Sequence, residues 1–569
     1  MADFDTVLIK SSTIADITDK QTVGVYSGGS NVTYQQFQAI STSSSSLVFS
    51  VNIPSESTVV SRKVLIQSQL TFSLKYSGVP AGTQAFNLGQ TDAMAAFPLN
   101  SLFTTLSATI NNTNVSINLE DCLPALLKFN SSEELQSYNS MTPCMPDNIL
   151  NYSDGILSNN NVLSSYTSMG YDSDLAPRGS FPLTNATINQ YTSAGAFVSN
   201  SPVIATDGNY ILVELTGIFC EPIICSPFIF GNPEANSGGF VGINSMNVVM
   251  NCNSGKRMFR TASPYTVELT LGTSSNSNPF ANTYLLFEFL STQPTDMVPS
   301  RNILPFYDFP RYISSNNNTT VASGSSITLT SNNIQMSQLP DKFIIMVRKP
   351  QSTLTIKDTD SFFTINSISI NLNNQSGLLS SASQYDLFRI SIDNHLQSNW
   401  TEWSGRAFVN NTSTGLGSLI PTAGSILVLN PALNLSLPNY LSSGSIGQFN
   451  FQFNINVTNR YDVDVQPEIC VICVNSGLFT TMQGTSQISS GLLTKQMVLD
   501  AQEKSSDVIP SAEYTKMVGG KMGQMAGSSL KKIANRMFGN HKHNSHSSGG
   551  AISGGSMSGG GADKLSKYY

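Results

Sequence analysis

Alternation of apolar and polar residues is the strongest pattern in this chain, and it predicts β-strands. Residues 69–77 (QLTFSLKYS) and 264–272 (PYTVELTLG) alternate between the two classes at nearly every position. Residues 448–458 (QFNFQFNINVT) place three phenylalanines on one face and asparagine and glutamine on the other. Alternation of this kind is typical of strands with one buried face. A shift of one residue would expose the phenylalanines, so we expect a firmly set register.

Helical patterns are few and short. Residues 118–130 predict one short helix, with Asp121 as its N-terminal cap and Pro124 tolerated near its start. Ser131 and Glu134 have the spacing of a capping box, which is sufficient for one or two turns. Residues 153–180 predict a long polar loop, and loops of that length in compact domains usually make contacts or carry function.

The stretch from 283 to 314 divides the chain. It begins as a strand, contains four prolines, and is too apolar for a solvated linker. Single cores stop growing at about 250–300 residues, so a chain of 569 residues predicts two or more domains. We therefore predict an all-β protein made of two sandwiches side by side. The predicted parts are an N-terminal arm (1–45), a first sandwich (46–290), a buried connector (291–314), a second sandwich (315–510) and a Gly/Ser-rich basic tail (511–569).

Composition adds a prediction about the surface. Charged residues make up 11% of the chain, against about 25% in ordinary globular proteins, and Ser, Thr and Asn take their place. Such a surface suits a protein that is largely covered by copies of itself. The tail from residue 511 has eight basic and two acidic residues, a formal charge of +6, which leaves −13 for the rest of a chain whose net charge is −7. An acidic body with a basic tail predicts two different environments.

The cysteines and the start of the chain indicate a reducing compartment. The first ten residues lack the basic and apolar segments of a secretory signal, and no apolar run reaches the length of a membrane span. Seven cysteines without framework spacing predict free thiols. The N-x-[ST] triplets, such as those at Asn31 and Asn456, are then expected from composition and not as glycosylation sites.

Few residues are suited to catalysis, and we expect no enzyme, cofactor or metal site. The four histidines are His395 and, in the tail, His541, His543 and His546. No G-x-S-x-G motif lies near His395, and histidines in a Gly/Ser tract are poor candidates for a specific metal site. Cys470 and Cys473 have CxxC spacing, but they lie on an apolar strand without a second pair, so we interpret them as core residues.

Several segments together resemble the major capsid proteins of polinton-like viruses and virophages. They are residues 96–119, 121–130, 177–181, 222–231, 297–313, 339–350, the strand from Ile365, 427–441 and 474–500. The resemblance spans roughly residues 60–510 and depends on the order and spacing of the segments, since no single motif is diagnostic. It implies a double jelly roll, which is two eight-stranded antiparallel sandwiches side by side, with few short helices and a flexible C-terminal tail.

The resemblance also implies a function. It is that of a major capsid protein, a trimer of pseudo-hexagonal outline that builds an icosahedral shell around double-stranded DNA. The protein would be made in the host cytoplasm or nucleus and reside in the virion. The implied partners are further copies of the chain, minor capsid and vertex proteins, and a maturation protease, and the basic tail adds a weak genome contact.

The alternative is a different class of protein. A soluble receptor- or glycan-binding β-sandwich, such as a spike or fibre head, would need exposed aromatic residues, for which Trp400 and Trp403 are the available tryptophans. A secreted adhesin is a third interpretation, which the missing signal argues against. Spikes and adhesins would remain small oligomers, whereas a shell protein forms closed higher assemblies.

The tail contains one amphipathic segment, residues 529–539. Its apolar residues fall at helical spacing on one face and include Leu530, Ile533, Met537 and Phe538. About ten residues are too few for a stable isolated helix, so the segment needs a surface to fold on. We predict contact with a partner protein, the inner wall of the shell or a membrane face. A disordered, solubilising tail is the alternative.

Three places in the tail match the cleavage pattern of adenovirus-type maturation proteases, an apolar residue, any residue, then Gly-Gly. The matches end at Gly520, Gly555 and Gly560. Extended segments flanked by glycine fit a protease groove, and relatives in the resembling family carry such a protease. Cleavage after these glycines is therefore predicted, although glycine-rich sequence also produces such matches by chance.

Overall fold

The structure is a computed structural model of the chain. It describes residues 31–88, 92–131, 134–135, 143–144, 146–150, 183–228, 239–291, 301–315, 319–410, 417–435, 437–438 and 441–491. The predicted loop 153–180 and the predicted tail 511–569 lie outside these residues. So do the candidate tail residues His541, His543, His546, Gly520, Gly555, Gly560, Leu530, Ile533, Met537 and Phe538.

Residues 31–291 form a first β-sandwich. Its strands are β1 (Asn31–Gln38), β2 (Ser41–Thr42), β3 (Ser46–Asn52), β4 (Val59–Ser61), β5 (Leu65–Ser77), β6 (Asp92–Met94), β7 (Phe103–Ile110), β8 (Thr113–Asn118), β9 (Leu183–Tyr191), β10 (Phe197–Ser199), β11 (Tyr210–Pro222), β12 (Gly239–Phe240), β13 (Ser245–Cys252), β14 (Phe259–Thr261), β15 (Thr266–Leu271) and β16 (Phe280–Ser291). Across one sheet the order is β9–β11–β5–β16–β1, and across the other it is β2–β3–β13–β7–β8. β4 and β5 pair with successive parts of β16, so they follow each other along the same side of that strand.

The alternation in residues 69–77 is confirmed in β5. Phe72 and Leu74 are fully buried, while Thr71 and Lys75 are only partly covered. β3 in the other sheet alternates in the same way, with Phe49 among its fully buried residues. The apolar faces of the two sheets form the core between them, and this core continues into the second half of the chain.

Residues 302–490 form a second β-sandwich. Its strands are β17 (Asn302–Asp308), β18 (Arg311–Ser315), β19 (Ser326–Thr330), β20 (Ile334–Gln338), β21 (Lys342–Arg348), β22 (Thr364–Leu372), β23 (Gln375–Leu378), β24 (Arg406–Asn410), β25 (Gly417–Pro421), β26 (Leu427–Leu429), β27 (Ile446–Thr458), β28 (Glu468–Met482) and β29 (Thr485–Ser490). β17 and β18 follow each other along β28, which also pairs with β21 and β29, and β26 pairs with β21. The other sheet places β27 between β19 and β22, and β24 and β25 form a separate hairpin.

The strongest sequence pattern is confirmed in β27. Phe451, Phe453 and Ile455 are fully buried, and the polar residues between them lie on the opposite face. The ring of Phe343, from β21 in the other sheet, lies edge-on to Phe451 with centroids 4.8 Å apart. This aromatic contact joins the two sheets of the second sandwich.

Strands also form in two segments that the sequence assigned to an arm and a connector. β1, within the predicted arm, pairs along its whole length with β16. β17 and β18, within the predicted connector, pair with β28. The exact limits of the domains stay a prediction.

The helices of the described residues are short. They are α1 (Pro98–Leu102), α2 (Leu119–Leu126), α3 (Gln384–Asp393), α4 (Trp400–Trp403) and α5 (Pro431–Asn434), with 3₁₀ turns at Leu127–Phe129 and Gln351–Thr353. The capping box predicted at Ser131 is present: its amide donates to Glu134 Oε2 at 2.7 Å, and its hydroxyl accepts from the Glu134 amide at 3.3 Å.

Truncation of the β27 aromatic face tests this core. Phe451→Ala should lower the free energy of unfolding of the second sandwich by about 3–5 kcal/mol, because it removes a buried ring and leaves a cavity. Gln452→Ala, on the opposite face of the same strand, should change it by less than about 1 kcal/mol. Both tryptophans lie in this half of the chain, so their fluorescence during urea unfolding measures the difference. Equal effects of the two substitutions would contradict the assignment of faces.

Candidate functional site

A cluster of buried charges joins the two sandwiches. Asp121 of α2, in the first sandwich, accepts hydrogen bonds from Arg348 of β21 and Arg311 of β18, in the second. Arg348 also donates from Nε to Glu468 Oε1 of β28 at 2.8 Å. Asp121, Arg348 and Glu468 are buried, so these contacts are shielded from water. Removing one partner from such a network leaves the others as buried, uncompensated charges.

The start of α2 positions Asp121 for this contact. Asn118 occupies the capping position in an extended conformation, and its Oδ1 accepts from the Asp121 amide at 2.8 Å. The prediction that Asp121 caps this helix is therefore wrong. Because the carboxamide of Asn118 satisfies the first turn, the carboxylate of Asp121 can face the second sandwich.

The two carboxyl groups of this cluster shift in opposite directions. Burial alone would raise the pKa of Asp121, but Arg348 and Arg311 together outweigh burial and hold that pKa below its ordinary value. Burial raises the pKa of Glu468, and Arg348 offsets only part of the increase. Asp121 therefore stabilises the fold in its ionised form, and this contribution is lost as the pH falls through its lowered pKa.

A second charged cluster lies nearby on the same boundary. Arg260 of β14 is buried and donates to Asp147 Oδ2 at 3.2 Å. It also lies 3.4 Å from a carboxylate oxygen of Asp360, in the second sandwich, and Arg257 lies 3.5 Å from the other. The Asp360 amide donates to Asp147 at 2.9 Å, so backbone and side chain both join the halves here.

A buried lysine makes a third connection. Lys128 pairs with Glu402 of α4 and donates to the carbonyl of Asp147 at 2.5 Å. The amide of Gln397 donates to the carbonyl of Lys128 at 2.7 Å. Lys128 thus ties the end of the α2 segment to the α3–α4 region of the second sandwich.

Neutral contacts join the halves at the opposite end of β28. The Ser486 amide donates to Asn112 Oδ1 at 2.7 Å, and Thr113 Oγ1 donates to the Ser486 carbonyl at 2.6 Å. Thr481 Oγ1 donates to the Val241 carbonyl at 2.5 Å. The two sandwiches are therefore connected at both ends of the strands and act as one two-lobed unit.

The residues considered for chemistry do not assemble into a reactive site. Cys470 and Cys473 are buried core residues of β28, and burial raises the pKa of Cys470 to about 12, which disfavours its thiolate. His395 lies in the turn after α3, and burial together with Lys342 lowers its pKa. Within the described ranges, no group of three His, Cys, Asp or Glu side chains has the arrangement of a metal site.

Sequence reasoning missed the charged residues at the boundary. Arg348 ends an apolar strand (KFIIMVR) and Glu468 begins another (EICVICV). In a chain with so few charges, a charge next to an apolar strand was the available signal that these residues are paired inside the protein.

The outer face of β27 carries no charged residue. On the outer face of β27, Asn456 Oδ1 accepts from Asn366 at 2.9 Å and its amide group donates to Thr328 at 3.0 Å. Trp403 is buried and donates from Nε1 to the Ile426 carbonyl at 2.9 Å, which leaves Trp400 as the partly exposed tryptophan. The outer face of β27 is therefore neutral and able to form hydrogen bonds.

Comparison with known families identifies this arrangement. Residues 2–290 match the model of the Sputnik virophage major capsid protein first domain, which is about half of the chain. The chain belongs to the Sputnik virophage major capsid protein family. Residues 309–477 match a second model, the C-terminal domain of major capsid protein V20. The family is structural and not enzymatic, which agrees with the sequence analysis.

Individual relatives agree with the family models. The putative capsid protein V20 of Sputnik virophage is 28% identical over 539 residues, which cover 91% of this chain and 85% of V20. A chain in the cryo-EM structure of the Sputnik virophage is 25% identical, with a TM-score of 0.70, over 90% of this chain and 98% of that one. The mavirus major capsid protein shares the fold at 15% identity, with a TM-score of 0.64, over 87% and 98%.

These matches establish the fold and the class of function. The two sandwiches form a double jelly roll, and the protein is a virophage-type capsid protein that self-associates as a component of the virion. No helix among the described residues is long and apolar enough to cross a membrane.

Neutralising Asp121 tests the boundary between the halves. Asp121→Asn should lower the free energy of unfolding by about 3 kcal/mol at pH 7, because Arg348 and Arg311 lose their shared counter-charge. The ordinary Asp pKa is about 3.9, so the difference from the unmodified protein should shrink below about pH 4. Urea unfolding at several pH values measures this.

Glu268→Gln is the matched control. Glu268 pairs with Lys75 at 3.6 Å on the solvent-exposed surface, so its neutralisation should cost less than about 1 kcal/mol. A loss for Asp121→Asn that stays constant from pH 7 to pH 3 would contradict an electrostatic role.

Proposed function

We propose that three copies of this chain form a trimer of pseudo-hexagonal outline, which tiles an icosahedral shell around double-stranded DNA. The observation that carries the proposal is the fixed connection between the two sandwiches through Asp121, Arg311 and Arg348. A chain that holds two similar lobes in one orientation contributes two corners of a six-cornered tile, so three copies complete it. The family membership supports the capsid role itself.

The neutral surface favours extensive contact between copies. Burying an ion in an interface carries a desolvation penalty, whereas carboxamides and hydroxyls can exchange water for partners across the interface. Charges are sparse in the sequence, and several of them are already paired inside, as Lys128 and Arg260 are. On the outer face of β27, Asn and Thr side chains bond to each other.

We further propose that the tail acts on the inner side of the shell. Its charge of +6 supports a weak contact with the genome, although a denser basic patch would bind more strongly. The amphipathic residues Leu530, Ile533, Met537 and Phe538 would fold on the inner wall or on minor capsid and vertex proteins. The chain would be made in the host cytoplasm or nucleus before assembly.

The oligomeric state tests the central proposal. Native mass spectrometry of the purified full-length chain should show a dominant trimer, three times the 61.2 kDa chain mass, and electron microscopy should show closed particles under assembly conditions. A chain that remains monomeric at high concentration would contradict it and favour the soluble binding-protein alternative.

Cleavage of the tail is a separate prediction. A maturation protease would cut after Gly520, Gly555 or Gly560, so the chain from mature particles should be shorter than recombinant protein at its C terminus. Intact-mass spectrometry distinguishes the three sites. Gly519→Val with Gly520→Val should block the first cut and leave the other two. A chain in mature particles that still ends in Tyr568 and Tyr569 would refute processing.

A further inference from the structure

A row of side chains crosses the outer face of one sheet of the first sandwich. It runs from β10 through β9, β11 and β5 to β15, which are neighbours in this order. Its members are Phe197, Tyr191, Tyr210, Lys75 and Glu268. Neighbouring strands lie about 4.8 Å apart, so the row is about 19 Å long. We call it the aromatic row.

Each member of the aromatic row contacts the next. The rings of Phe197 and Tyr191 lie edge-on with centroids 6.1 Å apart, and their planes are 79° apart. The rings of Tyr191 and Tyr210 stack with centroids 5.4 Å apart and planes 20° apart. The Lys75 ammonium lies 5.1 Å from the centroid of the Tyr210 ring and 3.6 Å from a carboxylate oxygen of Glu268. The row is therefore one continuous surface.

The ring geometry determines which groups the row presents to a ligand. Because Tyr191 and Tyr210 stack across neighbouring strands, their rings stand upright on the sheet, and their edges and hydroxyls point outward. In the described part of the chain, neither hydroxyl has a hydrogen-bond partner. Phe197 is turned away from this stack, and its side chain is 59% exposed, so it provides an open apolar ring. The side chains of Lys75 and Glu268 are 43% and 62% exposed.

The turn between β9 and β10 holds Phe197 in place. The Thr192 amide donates to the Ala196 carbonyl at 2.8 Å, and the Thr192 hydroxyl accepts from the Ala196 amide at 3.1 Å. Gly195 in the same turn has a φ of +83°, and a Cβ at this position would lie 4.0 Å from the Tyr210 hydroxyl. The backbone of this turn is thus hydrogen-bonded beside the row, and a ligand would meet a surface that is already formed.

We propose that the aromatic row binds a neutral oligosaccharide. A sugar ring has an apolar face of C–H groups and a rim of hydroxyls that both donate and accept hydrogen bonds. The apolar face packs on the ring of Phe197, while the rim bonds to the hydroxyls of Tyr191 and Tyr210 and to the pair formed by Lys75 and Glu268. This site goes beyond the shell-building role and does not depend on how many copies assemble.

The charges on and near the row favour a neutral sugar over an anionic one. Lys75 and Glu268 neutralise each other, so the row itself has no net charge. Asp207 and Glu214 lie on either side of Tyr210 in the chain, and among the described residues they accept hydrogen bonds only from neutral groups. Their unpaired negative charge repels sulfate, phosphate and carboxylate groups on a ligand.

Glycan binding by the purified full-length chain tests the proposal. The probe is a printed array of neutral and anionic oligosaccharides, followed by isothermal titration calorimetry with a sugar that binds. The unmodified chain should bind neutral oligosaccharides on the array. Phe197→Ala should weaken this binding at least about ten-fold, because the apolar face of the sugar loses the ring on which it packs. Failure of the unmodified chain to bind any neutral sugar on the array would overturn the proposal.

Tyr210→Phe is a second variant that keeps the ring and its stacking. It should weaken binding about three- to ten-fold, because one hydrogen bond to the sugar is lost. The matched controls are Phe408→Ala and Tyr385→Phe, which alter an aromatic side chain of the second sandwich that is 74% or 55% exposed. Neither control should change the affinity, and all four variants should keep the thermal midpoint of the unmodified chain.

Three further outcomes would contradict the proposal. Binding of a neutral sugar that persists in both Phe197→Ala and Tyr210→Phe would place the sugar elsewhere on the chain. Equal losses in the two control variants would show an effect that is not local to the aromatic row. A preference for anionic over neutral sugars would exclude the ligand class. None of these results bears on the trimer, which native mass spectrometry tests separately.

Discussion

The contact between Asp121 and Arg348 holds together what would otherwise be two separate sandwiches. Each sandwich has its own pair of sheets, so nothing in their strand order fixes the angle between them. Ion pairs buried at the boundary do, since displacing either sandwich would leave Asp121 without Arg348 and Arg311, its counter-charges, in a dry environment. The neutral contacts of Ser486 and Thr481 at the far end then prevent rotation about the charged end. A capsid tile needs this fixed shape, because its neighbours must find the same surface in every copy.

The low number of charged residues and the burial of several of them have a common physical explanation. A surface meant for contact with identical copies gains from neutrality, while the boundary between the lobes gains from directional, strongly held pairs. Charged residues such as Lys128, Arg260 and Glu468 are accordingly buried in ion pairs, while the outer face of β27 carries amides and hydroxyls. Charged residues are almost never fully buried in soluble proteins unless they are paired.

The sequence predicted local structure better than it predicted the boundary between the lobes. Period-two alternation correctly predicted the buried faces of β5 and β27, because the residues of each strand alone show which of its sides is apolar. The pairing of Asp121 with Arg348 joins residues more than two hundred positions apart, and no local pattern encodes it. The same lack of local information led to Asp121 as the helix cap in place of Asn118. The tail residues Gly520 and Leu530 stay predictions.

β28 gives the tile a mechanical property. Near one end of this fifteen-residue strand, Thr481 donates to the Val241 carbonyl of the first sandwich, and at the other end Glu468 holds Arg348, which pairs with Asp121 of the first sandwich. Antiparallel hydrogen bonds lie perpendicular to their strands, and β28 is flanked by strands on both sides along its length. A load directed along the strand is therefore shared by many bonds in shear. Such a load does not break the hydrogen bonds of β28 one after another.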